Sequence, residues 1–114
     1  HLTKDIIRAG GDGVVSVVAN AYPQAIKALV SALITEQREQ ADEIDALFTE
    51  MYQLLFKEGN PVGIKGLLHT IQLIETCAVR LPLCHATKQL TSRLRAAHEE
   101  LLAPMQQLGI EPRL

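Results

Sequence analysis

The strongest structural signal in the chain is the segment GGDGVVSVVAN, which occupies residues 10–20. Its first glycines can adopt the positive φ that a helix C-terminus often requires, so they mark a turn. Residues 14–19 are rich in β-branched side chains and place apolar groups on both faces. This pattern is typical of a strand covered on both sides in a parallel sheet. We therefore predict a strand over residues 14–19.

The segments on either side of this predicted strand have helical patterns. Residues 3–9 combine helix formers with Ile6 and Ile7, and a second helix is expected to begin at Pro23. The apolar stripe of that second helix consists of Ala25, Ile26, Leu29, Val30 and Leu33. The order helix, strand, helix is that of an α/β fold, and a lone strand needs partners elsewhere to pair its backbone.

Only helices are predicted after residue 34. The first, capped by Thr35, is expected to extend to about Phe56. Its buried face is expected to contain Ile44, Leu47, Phe48, Met51, Leu54 and Leu55. Its outer face carries an acidic run that we interpret as a solvated surface: Glu36, Glu39, Asp42, Glu43 and Asp45.

The next helix is predicted to start at Asn60 and Pro61, with Asn60 as its capping side chain. Gly63 and Gly66 share one face of this helix and predict close packing against a neighbour. Residues 80–83, Arg-Leu-Pro-Leu, have no helical period and are predicted to form an extended loop.

The last predicted helix is capped by Thr87 and is expected to end at Pro104. Its inner face should comprise Leu90, Leu94, Ala97 and Leu101. The sequence thus predicts a mainly α chain with three or four helices behind a short strand-bearing region.

Composition and charge exclude several classes of protein. Among the 114 residues, 47% are hydrophobic and 21% charged, which indicates a globular domain and excludes intrinsic disorder. A net charge of −2 without a basic cluster argues against nucleic-acid binding, and no apolar run is long enough to cross a membrane. Two cysteines fit reduced thiols in a cytoplasmic protein. Because the chain begins with His1, we expect it to be a processed or truncated piece of a longer protein.

The sequence does not support several kinds of chemical site. The glycines at residues 10–13 precede the predicted strand, whereas a dinucleotide-binding motif places them after one, so no cofactor is expected. A zinc site would need ligands paired at short fixed spacing, which is not the arrangement of His69, Cys77, Cys84 and His85. No metal is expected either. Nucleophilic catalysis by a cysteine is disfavoured because His85, although adjacent to Cys84, would not usually face it productively.

Lys65 is the one lysine in a segment apolar enough to be considered for Schiff-base chemistry, which requires a desolvated amine. We favour a structural interpretation, in which its stem packs while the ammonium reaches a carbonyl or carboxylate oxygen.

Three motifs resemble one enzyme family. Residues 10–20 are similar to the segment around the eighth strand of the dihydrodipicolinate synthases, also called 4-hydroxy-tetrahydrodipicolinate synthases, of the class I pyruvate-dependent aldolase superfamily. Residues 55–61, Leu-Phe-Lys-Glu-Gly-Asn-Pro, followed by Lys65, resemble a second motif of that family, and residues 80–83 resemble its Arg-Leu-Pro loop. The motifs occur in the right order and cover the C-terminal part of the family's chain. His85 departs from the pattern, since the family commonly has proline there.

This resemblance implies a (β/α)8 barrel followed by a helical domain. Residues 1–34 would supply the last helix, strand and helix of the barrel, and residues 35–114 the C-terminal helical domain. It also implies a lyase that joins pyruvate to aspartate semialdehyde through a lysine Schiff base in lysine biosynthesis. The Schiff-base lysine and the tyrosine and threonine of its proton relay would lie outside this chain, so the chain holds no catalytic residue. Val15 matches the position that borders the pyruvate site.

Two functions therefore remain open at this point. The first is an inactive fragment of the lyase, whose parent is expected to be a cytoplasmic homo-oligomer. The second is a non-catalytic helical interaction or oligomerisation module derived from the same family. Because residues 14–19 would have no strand partners within this chain, we also expect self-association through residues 13–20. The alternative is that this segment lies as coil or helix against the helices.

Overall fold

The computed structural model describes residues 2–112, which form six α-helices and one short 3₁₀ helix. Within that range no residue is in a β-strand. The α-helices are α1 (Thr3–Arg8), α2 (Pro23–Ile34), α3 (Arg38–Leu47), α4 (Thr49–Lys57), α5 (Val62–Thr70) and α6 (Lys88–Gln107), and the 3₁₀ helix is Val18–Asn20. The predicted mainly helical class is confirmed.

The predicted strand over residues 14–19 is wrong for this structure. Residues 11–17 have no regular secondary structure, and the 3₁₀ helix follows them directly. Val15 is fully exposed, whereas Val14 and Val17 pack against the edge of the core. A strand pairs its N–H and C=O groups with another strand, and residues 2–112 offer none, so the segment stays an open coil.

The first two predicted helices are confirmed as α1 and α2. Gly10 follows α1 with a φ of 102°, as expected for a glycine after a helix end. Pro23 occupies the first turn of α2, where its missing N–H has no helical partner to lose. The stripe of α2 faces the core, with Leu29 completely buried.

The long helix predicted from Thr35 to Phe56 is instead two helices, α3 and α4, which meet at Phe48. Thr35 ends α2 rather than capping α3, because its hydroxyl donates to the Ser31 carbonyl at 2.8 Å. At the break, the buried Phe48 ring packs edge-on against Tyr22 with centroids 5.2 Å apart. The break therefore falls at Phe48, a core residue that lies between the end of α3 and the start of α4. The predicted apolar face of this region is otherwise confirmed.

Helix α5 begins after Pro61, and the predicted capping by the Asn60 side chain is wrong, because no side chain caps this helix. The predicted close packing of the glycines is confirmed: a methyl group on Gly63 would collide with the Leu55 carbonyl, and one on Gly66 would lie 3.0 Å from Cβ of Ala86. Residues 80–83 are outside the helices, as predicted, but they are not extended: the Leu83 N–H donates to the Arg80 carbonyl at 3.0 Å and closes a tight turn.

Thr87 caps α6 as predicted, since its hydroxyl oxygen accepts the Leu90 N–H at 3.2 Å. Pro104 does not end the helix, which continues to Gln107. The turn beyond Pro104 is held in place because Met105 and Ile110 are buried in the core. Burial of these side chains offsets the hydrogen bond that proline cannot donate.

One hydrophobic core joins the helices. Helix α2 packs against α1 and α3, while α4 and α5 pack against each other and against α6. The buried residues of the core form one connected cluster. Its members lie between Val18 and Ile110 in the chain, so it contains side chains from both sides of residue 34. The division into residues 1–34 and 35–114 remains a prediction. Across residues 2–112, no helix combines the length and the apolar composition that spanning a membrane requires.

Candidate functional site

The one residue singled out from the resemblance, Val15, lies on a groove of about 350 Å³ beside α1. Leu2 and Ile6 line the groove from the α1 side, and the ring of Phe56 lines it from the end of α4. The only reactive side-chain groups among the residues that line it are the hydroxyls of Thr3 and Ser16. The groove offers an apolar surface for contact and no acid, base or amine for chemistry.

The amine of Lys65 is engaged in a structural hydrogen bond. Its Nζ donates a hydrogen bond of 2.7 Å to the carbonyl oxygen of Ala78, in the loop between α5 and α6. The structural interpretation of Lys65 is thereby confirmed. The contact fixes this loop, residues 71–87, to the middle of α5.

The residues considered for a zinc site, His69, Cys77, Cys84 and His85, do not form one in this structure. Across residues 2–112, no group of three or more His, Cys, Asp or Glu side chains converges to hold an ion. Two of the four do meet, because Sγ of Cys77 lies 3.5 Å from Nδ1 of His85. The imidazole of His85 therefore contacts Cys77 rather than Cys84, its neighbour in the chain, which was the pairing considered from the sequence. The contact depends on the path of an irregular loop, so the spacing of the two residues in the sequence could not indicate it.

Glu58 is a second residue that sequence reasoning did not single out as a contact. Its carboxylate accepts hydrogen bonds from both the backbone N–H, at 3.0 Å, and the hydroxyl of Thr87. These bonds favour the ionised form and lower the pKa of Glu58. Since Thr87 also caps α6, one carboxylate connects the end of α4 to the start of α6.

The acidic run on α3 is only partly a free solvated surface. The Asp42 carboxylate forms ion pairs with Nζ of Lys4, at 3.1 Å, and with a guanidinium nitrogen of Arg8, at 3.0 Å. The Asp45 carboxylate lies 3.5 Å from Nζ of Lys4. The hydrogen bond with Lys4 lowers the pKa of Asp42, and the same bond raises the pKa of Lys4. These contacts join α1 to α3. Their exposure makes each of them a modest contributor to stability.

Both tyrosines are held inside the helical core. The Tyr22 hydroxyl lies 2.8 Å from Nδ1 of His98, and the Tyr52 hydroxyl donates to Asp45 at 3.2 Å. Burial raises the pKa of Tyr22, and burial together with the Asp45 charge raises the pKa of Tyr52. Both phenols therefore stay protonated and act as packing and hydrogen-bonding groups.

Comparison with protein-family models gives a match to the dihydrodipicolinate synthetase family over residues 1–101. The chain belongs to this family. The resemblance inferred from the three motifs is therefore confirmed, and it covers all but the last residues of the chain.

The relatives of this dihydrodipicolinate synthetase family member include 4-hydroxy-tetrahydrodipicolinate synthases of two bacteria. That of Cytophaga hutchinsonii is 40% identical over 97 residues, which cover 83% of this chain and 32% of that protein. That of Porphyromonas gingivalis is 38% identical over 103 residues, which cover 88% of this chain and 35% of that protein. The chain spans about a third of the length of the curated relatives it matches.

A solved structure of a monomeric dihydrodipicolinate synthase variant has the same arrangement of helices. It superposes with a TM-score of 0.82 at 31% sequence identity and covers 87% of this chain and 33% of that one. The helical packing is thus shared with part of a family structure.

Proposed function

We propose that this chain is the C-terminal third of a lyase that joins pyruvate to aspartate semialdehyde through a lysine Schiff base, a step of lysine biosynthesis through diaminopimelate in the cytoplasm. The observation that carries the proposal is the family match over residues 1–101, with relatives named 4-hydroxy-tetrahydrodipicolinate synthase. In this proposal the chemistry belongs to the parent protein, and this chain contributes structure and one border of the substrate site.

Residues 1–34 are proposed to complete a (β/α)8 barrel, and residues 35–114 to form its helical appendage. In that setting residues 14–19 become a strand, because the barrel supplies strands on both sides. Two features support this: the segment has the apolar pattern of a buried strand, yet Val15 is fully exposed here. A β-branched apolar segment that lies open to water is what remains when its pairing partners are absent.

Val15 is proposed to border pyruvate in the complete enzyme. The support for this role is the resemblance of residues 10–20 to the family's eighth-strand segment, in which the position of Val15 borders the pyruvate site. The role assigned to Val15 is contact through its backbone and aliphatic side chain. It is not a role in proton transfer.

A chimera tests the proposal directly. The matching segment of the Cytophaga hutchinsonii synthase is replaced by this chain, and condensation of pyruvate with aspartate semialdehyde is measured. We expect a folded, active chimera. Val15→Ala should then raise the KM for pyruvate severalfold, while Leu81→Ala, at an exposed loop position, should leave it unchanged. A folded chimera without activity contradicts the proposed function, and an unchanged KM contradicts the role of Val15.

The isolated chain is proposed to be inactive. Its best lysine candidate, Lys65, is already bound to the Ala78 carbonyl, so it does not present a free amine to a carbonyl substrate. Borohydride reduction in the presence of pyruvate should give no covalent adduct by mass spectrometry. An adduct on any lysine would refute the claim of inactivity.

A second candidate function is a non-catalytic interaction module, and the exposed apolar groove at Val15 favours it. In this case a second copy of the chain covers the groove, either by strand pairing or by exchange of the N-terminal segment, and makes a homo-oligomer. Light scattering distinguishes the cases. An oligomer that dissociates when residues 1–21 are removed supports the module; a monomeric full chain, or an oligomer that survives the deletion, refutes it.

A further inference from the structure

The loop between α5 and α6 contains the two cysteines of the chain in different surroundings. Cys77 is half-buried and its Sγ lies 3.5 Å from Nδ1 of His85. Cys84 is exposed, and no group among residues 2–112 makes a hydrogen bond to its thiol. The same loop therefore holds a thiol paired with a base and a thiol without one.

We propose that Cys77 and His85 form a thiol–imidazole pair that makes Cys77 a site of covalent modification by low-molecular-weight disulfides. The thiolate, and not the thiol, is the nucleophile in such reactions, and an adjacent imidazole promotes it by taking the thiol proton. Both residues belong to the loop between α5 and α6, and their pairing does not depend on the proposed lyase function.

The reaction is thiol–disulfide exchange. The proton of the Cys77 thiol moves to Nδ1 of His85, and the sulfur attacks one sulfur atom of the small disulfide. A new S–S bond joins Cys77 to one half of the reagent as the original S–S bond breaks. The other half leaves as a thiolate and takes the proton from His85. The disulfide is the oxidant, so no further reactant is needed.

Two hydrogen bonds hold the backbone beside Cys77 in place. The Ala78 N–H donates to the Thr76 hydroxyl oxygen at 3.2 Å, and the Ala78 carbonyl accepts from Lys65 at 2.7 Å. At the other end of the loop, Thr87 is fixed by Glu58 two residues after His85. Both members of the pair are thus carried by anchored backbone, which keeps the thiol and the imidazole within reach of each other.

The test compares the two thiols within the full chain. Cys84→Ser leaves only Cys77, and Cys77→Ser leaves only Cys84. Each variant is treated with oxidised glutathione, and separately with iodoacetamide, at neutral pH, and adducts are counted by mass spectrometry over time. We expect Cys77 to react roughly five- to tenfold faster than Cys84, despite being less exposed, because only Cys77 has the imidazole.

A second set of variants assigns the effect to His85. In the Cys84→Ser background, His85→Gln should reduce the Cys77 rate to that of Cys84 or below. His69→Gln, which removes an imidazole elsewhere on the surface, should leave it unchanged. Circular dichroism and the Cys84 rate in Cys77→Ser/His85→Gln check that the loop remains folded. Equal rates for the two thiols, or a Cys77 rate that is unaffected by His85→Gln, would overturn the proposal.

Discussion

Two apolar stretches of this chain behave in opposite ways. Residues 14–17 are an open coil with Val15 in water, whereas residues 44–55 are helical on either side of Phe48 and bury Phe48 and Leu55 completely. Both stretches are rich in apolar side chains, so hydrophobicity does not separate them. The difference lies in the backbone: a helix satisfies its N–H and C=O groups within the segment, while a strand needs a second strand.

In this chain, therefore, a segment forms regular secondary structure where its backbone N–H and C=O groups find hydrogen-bond partners within the described residues. Helices α3 to α6 carry their own partners and can therefore commit their apolar faces to a common core. The coil before the 3₁₀ helix can bury only those side chains that the neighbouring helices happen to cover. Substitutions in the two regions should therefore differ in their effect on the free energy of unfolding.

The largest effect is expected at Leu94, which has 0% exposure at the centre of α6. Leu94→Ala removes buried methyl and methylene groups and leaves a cavity, so it should reduce the free energy of unfolding by about 2–5 kcal/mol in urea titrations. Leu81→Ala, at a side chain that is 90% exposed, is the control and should change it by less than about 0.5 kcal/mol. A loss below about 0.5 kcal/mol at Leu94 as well would show that the core is assigned wrongly.

A smaller effect is expected at Gly63, where α5 crosses the end of α4. Gly63→Ala would place Cβ against the Leu55 carbonyl, and the overpacking should destabilise the chain by about 1–3 kcal/mol. Gly13→Ala, in the coil, has open space around the new methyl group and should be nearly neutral. If Gly63→Ala stabilised the chain through its better helix propensity, the close approach of α4 and α5 would be refuted.

The link between Glu58 and Thr87 predicts a pH dependence. Because the folded state lowers the pKa of Glu58, its carboxylate stabilises the fold above the pKa of the unfolded chain, and this contribution disappears as the pH falls through the folded pKa. Glu58→Gln should therefore be less stable than the wild type at neutral pH, by at most about 1 kcal/mol for a partly exposed group near the surface. The gap should close in acid.

Thermal unfolding at a series of pH values measures this gap. The matched comparison is made in the Thr87→Ala background, where the hydroxyl donor is gone and the same Glu58→Gln change should have a smaller effect. A gap that stays constant down to acid pH, or that is equally large without the Thr87 hydroxyl, would contradict the assignment.

The smallest effect is expected at Val15, the exposed member of the coil. Val15→Ser should change the free energy of unfolding by less than about 0.5 kcal/mol. Val18→Ala, three residues later at a buried position, should cost about 1.5–2 kcal/mol for two lost carbons. Chemical denaturation of both variants measures the two changes in the free energy of unfolding. A large loss of this free energy in Val15→Ser would mean that the coil is covered by other residues.

Local signals account for what the sequence predicted well. The cap at Thr87 and the spacing of Leu90 and Leu94 depend on residues within one or two turns, so they could be predicted without knowledge of the fold. The prediction of a strand was wrong because a strand needs pairing segments, and residues 2–112 do not provide them. The break at Phe48 coincides with a contact to Tyr22, a residue that lies far from it in the chain and could not be inferred from the helical pattern.

The candidate site was predictable to a lesser degree. The carbonyl partner of Lys65 was anticipated as a type of contact, but its identity, Ala78, required the path of the loop. The pairing of Cys77 with His85 could not be predicted either, since both residues lie in irregular backbone where no period relates one side chain to another.

The anchored loop has a consequence for how the chain can be cut and extended. Lys65 and Glu58 hold the loop at Ala78 and Thr87, while Leu81 between them projects into water. Exposed loop tips of this kind are where proteases cleave and where inserted sequence is tolerated. A protease cut beside Leu81 should therefore yield two pieces that remain associated, since α6 stays packed on α4 and α5. A short peptide tag inserted at the same point should leave the cap of α6 intact.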